Sequence, residues 1–274
     1  MKSKNIYAMS PENSAYQLSI TTEGDFESGT LSSVVIGDKG YAMSRAAYGI
    51  SSGSCYVEVE ILDRIPDAKW TNLPEPHIRL GFSTAHGMLQ CPVGYDWFSF
   101  SYRDKDGSKF HQAVRQDYGR PFGPGDVIGM LIELPPLPDC PETEPPEALK
   151  QTRDLGFVWH KTTDYKAHPV PGSSATDRVL VVEGLQVHPK SRIEFFVNGE
   201  GQGTAFEDIP QGIYYPAVSL YMGARVRVRF GGSNFKAFPK RLEERKDITP
   251  AGKLPNAMTD FQKEKEETDK NGLT

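Results

Sequence analysis

The segment Tyr56-Val-Glu-Val-Glu-Ile-Leu62 points to the fold class. Val57, Val59 and Ile61 alternate with Glu58 and Glu60. A period of two puts apolar side chains on one face of a strand and polar ones on the other, so a half-buried strand with both glutamates in water is expected. The alternation recurs at His77-Ile-Arg-Leu-Gly-Phe82, at Phe98-Ser-Phe-Ser-Tyr102 and at Arg225-Val-Arg-Val-Arg-Phe230. Arg192-Ile-Glu-Phe-Phe-Val197 runs into Asn198-Gly199, the pair that a type I′ hairpin turn favours. Asp126 to Leu134 is mainly apolar and reads as a strand covered on both faces. Turns rich in Gly, Pro and Asp separate these runs, as at Asp104-Lys-Asp-Gly107 and Phe122-Gly-Pro-Gly-Asp126. No segment before about residue 240 carries a helical period. The expected fold is all-β, two antiparallel sheets packed as a sandwich.

Two segments depart from this pattern. Residues 135–178 are rich in proline and charge and read as a long insertion between strands, with a short ordered piece at Leu155-Gly-Phe-Val-Trp-His160. Residues 246–274 lack core-forming side chains and read as a flexible polar tail. The sandwich domain is therefore expected over 1–245.

The 274 residues include 26 Gly and 21 Pro, which suits many short strands joined by turns. The net charge of −5 lacks the basic surplus that a free-standing DNA binder needs. Cys55, Cys91 and Cys140 are odd in number and widely spaced, the pattern of free thiols in a reducing compartment. Met1-Lys-Ser-Lys-Asn5 has no apolar run behind it, and Val127 to Leu137 is too short to cross a bilayer, so neither a secretory signal nor a membrane span is expected.

Gly40-Tyr-Ala-Met-Ser-Arg-Ala-Ala-Tyr-Gly49 resembles the start of the SPRY domain of the Ash-two-like (Bre-two) family, a concanavalin-like jelly roll. The likeness continues through Arg79-Leu-Gly-Phe-Ser83, Leu89-Gln-Cys-Pro-Val-Gly-Tyr-Asp96, Phe98-Ser-Phe-Ser-Tyr-Arg103 and Gly107-Ser-Lys-Phe-His-Gln112. Phe196-Val-Asn-Gly199 and Gly212-Ile-Tyr-Tyr-Pro-Ala-Val-Ser-Leu-Tyr221 extend it, so that it covers roughly residues 15–238. The resemblance implies a nuclear, non-catalytic subunit of COMPASS/MLL-type methyltransferase complexes that modify lysine four of histone H three. It further implies that the SPRY domain clasps an acidic-hydrophobic segment of a retinoblastoma-binding-protein-five-like WD-repeat subunit, and that the pair stimulates the SET-domain catalytic subunit. Family members also end in a helix that binds a Dpy-thirty-like dimer. The tail here offers only scattered Leu254, Met258 and Phe261 for that purpose.

The residues that would carry the binding follow from this resemblance and from side-chain chemistry. Arg79 and Arg103 offer planar forks of donors that match carboxylates bidentately, and Lys105 adds a looser positive charge. Tyr41, Pro92 and Tyr95 supply apolar faces, and Gln90 a partner for peptide backbone. Residue pattern alone leaves open that each arginine pairs with an internal acid such as Asp96 or Asp104. Arg225, Arg227 and Arg229 read as the wet face of a half-buried strand, with a basic stripe for nucleic acid as the sharper alternative.

Enzyme signatures are absent from the sequence. No GxSxG, HExxH, P-loop or dinucleotide fingerprint occurs, and the six histidines form no HxH or HxxxH pair, so neither cofactor nor metal is expected. His111 reads as part of the packing. Two other functions remain open at this level: a SPRY adaptor of the ubiquitin-ligase type that reads another peptide, and a lectin-like carbohydrate binder, which the missing calcium loop disfavours.

Overall fold

A computed structural model describes residues 8–24, 32–64, 74–135, 165–169, 178–182, 187–231, 234–245 and 247–250. The chain order is β1 (Met9–Ser14), β2 (Leu18–Glu23), β3 (Ser32–Gly37), β4 (Ala42–Ala46), β5 (Gly53–Leu62), β6 (His77–Ser83), β7 (Ser99–Arg103), β8 (Lys109–His111) and β9 (Val114–Gln116). Then come β10 (Val127–Leu134), β11 (Tyr165–Pro169), β12 (Arg178–Val182), β13 (Arg192–Val197), β14 (Glu200–Glu207), β15 (Tyr215–Tyr221), β16 (Ala224–Arg229) and β17 (Ile248–Pro250). One sheet runs β1-β4-β15-β6-β7-β8-β9, and the other β14-β13-β10-β5-β16-β3-β2. The result is the two-sheet antiparallel sandwich that the alternation required.

The core lies between the sheets. Val57, Val59 and Ile61 of β5 meet Leu80 and Phe82 of β6, Phe100 and Tyr102 of β7, and Val218 and Leu220 of β15 in one apolar cluster. Each of these residues is separated by one from its like-facing neighbour, so the period of two in the sequence becomes the inner face of a sheet. The Asn198-Gly199 turn has φ of 53° and 83°, the pair of positive values a type I′ turn demands.

The outer face of β5 differs from expectation. Glu58 is fully buried and Glu60 half-buried, because the chain returns after β16 and lies across them. Phe235, Phe238, Leu242 and Ile248 cover Tyr56, Leu131 and Phe196, and Tyr56 meets both phenylalanine rings edge-on, at 5.2 and 5.0 Å. Strand β17 then pairs in parallel with Ser54–Tyr56 of β5. The sandwich thus includes residues 247–250, which the sequence reading gave to the tail; three strand residues and one buried Ile are too short a signal to read. The insertion at 135–178 holds β11, which pairs with β12, a strand that starts at the insertion's last residue, Arg178. Leu155–His160 lies outside the described residues.

Acids on this outer face are consumed by the chain itself. Glu58 accepts the backbone N–H of Lys236 at 2.6 Å and of Ala237 at 3.1 Å. Burial raises its carboxyl above the ordinary range, and these hydrogen bonds oppose the rise. Glu60 accepts from Arg229 at 2.5 Å, Lys236 at 2.6 Å and Arg227 at 3.4 Å. Arg227 also meets Glu23, and Arg229 is buried, so neither arginine belongs to an open basic stripe.

Burial alone would raise Glu60, but hydrogen bonds from Lys236 and Arg229 outweigh it and bring the carboxyl down to about 2 from 4.5. A folded value below the unfolded one gives stability that is full above pH 4.5 and is lost as pH falls toward 2. Glu60→Gln is expected to flatten that acid limb by on the order of 1 kcal/mol, after allowance for solvent screening. Urea unfolding at a series of acidic pH values checks this; an unchanged limb contradicts it. Glu58→Ala strands two amide donors and is expected to cost about 2–4 kcal/mol at neutral pH in the same assay.

Candidate functional site

Strands β6 and β7 set Arg79 directly opposite Arg103. Both alternate with core residues, Leu80 and Tyr102, and therefore leave the sheet on its outer face. Phe110 of β8 does the same, because its neighbour His111 stacks inward on Phe100 at 4.2 Å. The guanidinium of Arg79 lies 3.7 Å from the centre of the Phe110 ring, and that of Arg103 5.6 Å from it. Two cations thus share one aromatic ring, whose quadrupole offsets part of their mutual repulsion.

Tyr41 walls this patch. Its ring is 5.0 Å from Tyr221 and 5.7 Å from the Arg79 guanidinium. Burial raises the Tyr41 phenol, with Arg79 pulling the other way, so Tyr41 stays neutral. Burial lowers Arg79 from its ordinary value, and the Arg103 charge adds to that. A guanidinium remains charged through such a shift. The Nε of Arg79 is buried with no hydrogen-bond acceptor.

The internal acids do not seal the two arginines. Asp96 accepts from the backbone N–H of Met88 at 2.8 Å, that of Phe98 at 3.0 Å and the Ser99 hydroxyl at 2.8 Å. Asp104 is buried, and its carboxylate faces His77 at 3.4 Å. Asp106 takes Arg115 at 3.1 Å and forms a long ion pair with Arg103 at 3.8 Å, outside hydrogen-bond distance. Lys105 is exposed at the turn.

Residues 84–98 form a loop that packs on the same outer face. Met43 donates to the Leu89 carbonyl at 2.7 Å, and Val93 to the Ser219 hydroxyl at 3.0 Å. Leu89 and Val93 pack with Met43 and Ala217 in a small apolar cluster. Gly94 has φ of 82°, and a Cβ there would lie 2.5 Å from the Phe110 carbonyl oxygen, so only glycine lets the loop sit this close. Pro92 and Tyr95 bracket a turn, closed by Tyr95 N–H to the Pro92 carbonyl at 3.1 Å, and both are half-buried. Gln90 is exposed, and its amide exchanges hydrogen bonds of 2.5 and 3.1 Å with Gln17.

The structure therefore brings Arg79, Arg103 and Tyr41 together, with Pro92 and Tyr95 on the loop that packs on the same outer face. The Gln90 amide is already engaged. Phe110, Tyr221 and His77 were missed in the sequence. The signal for Phe110 was its place between Lys109 and His111, where the alternation puts one of the three on the opposite face. Among the described residues no cluster of three His, Cys, Asp or Glu side chains gathers as for a metal.

No family model matches the chain. It is 37% identical over 213 residues to the Set1/Ash2 histone methyltransferase complex subunit ASH2 of Drosophila melanogaster, across 77% of the chain and 34% of that protein. It is 34% identical over 238 residues to the corresponding subunit ash-2 of Caenorhabditis elegans, across 85% of the chain and 37% of that protein. With the Set1 complex component ash2 of Schizosaccharomyces pombe it shares 30% identity over 249 residues, across 76% of the chain and 36% of that protein. The chain thus spans about a third of the length of these relatives.

Asp96 holds the loop through three donors, so Asp96→Ala is expected to free residues 84–98 before it unfolds the sandwich. Hydrogen exchange at Met88 and Phe98 should accelerate at least about tenfold, with a stability loss of about 1–3 kcal/mol. Unchanged protection at both amides contradicts the assignment.

Proposed function

This chain belongs to the Ash2-like family of histone methyltransferase complex subunits, and from that premise we propose that its sandwich is a non-catalytic scaffold which holds an acidic-hydrophobic segment of a WD-repeat partner on the Arg79–Arg103 patch. The observation that supports this reading is the pair of guanidinium groups in register over Phe110, with Asp96 and Asp104 engaged elsewhere and Asp106 only a 3.8 Å ion-pair neighbour of Arg103 that it shares with Arg115. A carboxylate reaching this patch completes the charge balance that the chain leaves open, and its hydrogen bonds form where the Phe110 and Tyr41 rings already exclude water. The half-buried Tyr95 and Pro92 offer rigid surface to the segment's apolar side chains at low entropic cost. In this reading the pair then docks on a SET-domain subunit in the nucleus and raises its activity. A Dpy-thirty-like dimer would engage the tail after residue 250, which lies outside the described residues.

Each arginine is expected to matter more than the lysine. Arg79→Ala or Arg103→Ala should weaken binding of an acidic-hydrophobic peptide from the WD-repeat subunit by about 1.5–3 kcal/mol, whereas Lys105→Ala should cost about 0.5 kcal/mol. Titration calorimetry checks this, with the Asn/Gln version of the peptide as control. Full affinity in either arginine variant, or equal binding of the neutral peptide, contradicts the proposal.

A further inference from the structure

The inner side of β8 faces an opening in the sandwich. A cavity of about 580 Å³ lies between β8 and β14, the edge strand of the other sheet. Its principal lining residues are Trp97, Phe100, Lys109, His111, Phe206 and Glu207. Nothing in the Arg79–Arg103 reading uses this space, which is on the opposite side of the sheet.

Three aromatic rings shape the cavity around Phe100. The His111 ring stacks on Phe100 with an interplanar angle of 5°, Phe206 meets Phe100 edge-on at 5.0 Å, and Trp97 stands 5.5 Å from His111. Burial brings His111 down to about 4, so its ring is neutral near pH 7 and acts as one more flat wall. Its Nδ1 is turned to the Ser99 carbonyl at 2.9 Å.

One cation reaches into this aromatic space. Lys109 donates to the carbonyl of Ala205 on the edge strand, and its ammonium stands 5.1 Å from the Phe206 ring centre. An ammonium has three donors, and the Ala205 carbonyl takes one. Burial lowers the Lys109 value, and the charge of Glu207 opposes this. Glu207 and Asp208 are exposed at the mouth, where water and salt screen them. The half-buried charge is therefore the one that decides complementarity, and it is positive. A cationic ligand would compete with Lys109 for the face of Phe206 and would be repelled at close range.

We propose that this cavity binds a small carboxylate that carries an aromatic ring, the ring between Trp97, His111 and Phe206 and the carboxylate on the ammonium of Lys109. The size falls within the range of small-molecule sites, and the mixture of aromatic walls with one convergent charge is their usual character. A free aromatic acid offers this chemistry, and so does the C-terminus of a peptide ending in Phe.

Saturation-transfer NMR on the full chain tests this with N-acetylphenylalanine and its neutral amide as probes. The acid is expected to bind with a Kd on the order of a millimolar, and the amide at least about tenfold more weakly. Lys109→Met should remove the preference for the acid, and Lys109→Arg should keep it. On the wild-type chain the indole N–H of Trp97, assigned with Trp97→Phe, should shift on titration with the acid, which tests the site even if Lys109→Met does not fold. Gly-Gly-Gly-Phe binding more tightly than N-acetylphenylalanine assigns the site to chain termini, and equal binding assigns it to free acids; both uphold it. Equal binding of acid and amide, preference for N-acetylargininamide, or no transfer to either phenylalanine probe overturns it.

Discussion

Two like charges set opposite each other across a β-ladder repel, and the outer face of the first sheet is organised around that constraint. Arg79 and Arg103 are register partners on β6 and β7. The Phe110 ring beneath them and the Tyr41 ring beside Arg79 soften the repulsion without cancelling it. Asp96 is turned into its own loop, Asp104 toward His77, and Asp106 is shared between Arg115 at 3.1 Å and Arg103 at 3.8 Å. What remains is a positive surface with aromatic support that the chain's own acids balance only in part.

The rest of the fold keeps that surface in shape. The core residues of β6 and β7 fix which side chains leave the sheet, since a slip of one residue would send both arginines inward. The loop 84–98 is seated by Gly94, Asp96 and the apolar contacts of Leu89 and Val93. On the far side, Glu58 and Glu60 tie residues 234–250 across the second sheet, so that acids which look solvated in the sequence are structural. Strand β8 joins the two themes: Phe110 supports the arginines on one face, while Lys109 and His111 line a cavity on the other.

The sandwich was legible because period-two alternation survives in sequence wherever one face of a strand meets the core. Val57, Val59 and Ile61 announced their burial, and Asn198-Gly199 announced its turn. Glu58 and Glu60 were misread because the element that covers them arrives some 180 positions later in the chain, and only tertiary contact reveals it. Arg79 and Arg103 could be named from a family likeness, yet their juxtaposition depends on the β6–β7 register, which no local pattern encodes. Phe110 and Tyr221 lie in stretches that read as ordinary strand, so their part in the patch emerges only when the sheet is assembled.

In the proposed function, two guanidinium groups on adjacent strands act as one receptor for carboxylates. The most direct measurement is the Nε–Hε NMR signal of each arginine during titration with an acidic-hydrophobic peptide of the WD-repeat subunit. The Arg79 and Arg103 signals should move together with one common Kd, while the signal of Arg229, held by Glu60 on the other sheet, stays fixed. Stationary signals at Arg79 and Arg103, or separate dissociation constants for the two, would contradict it.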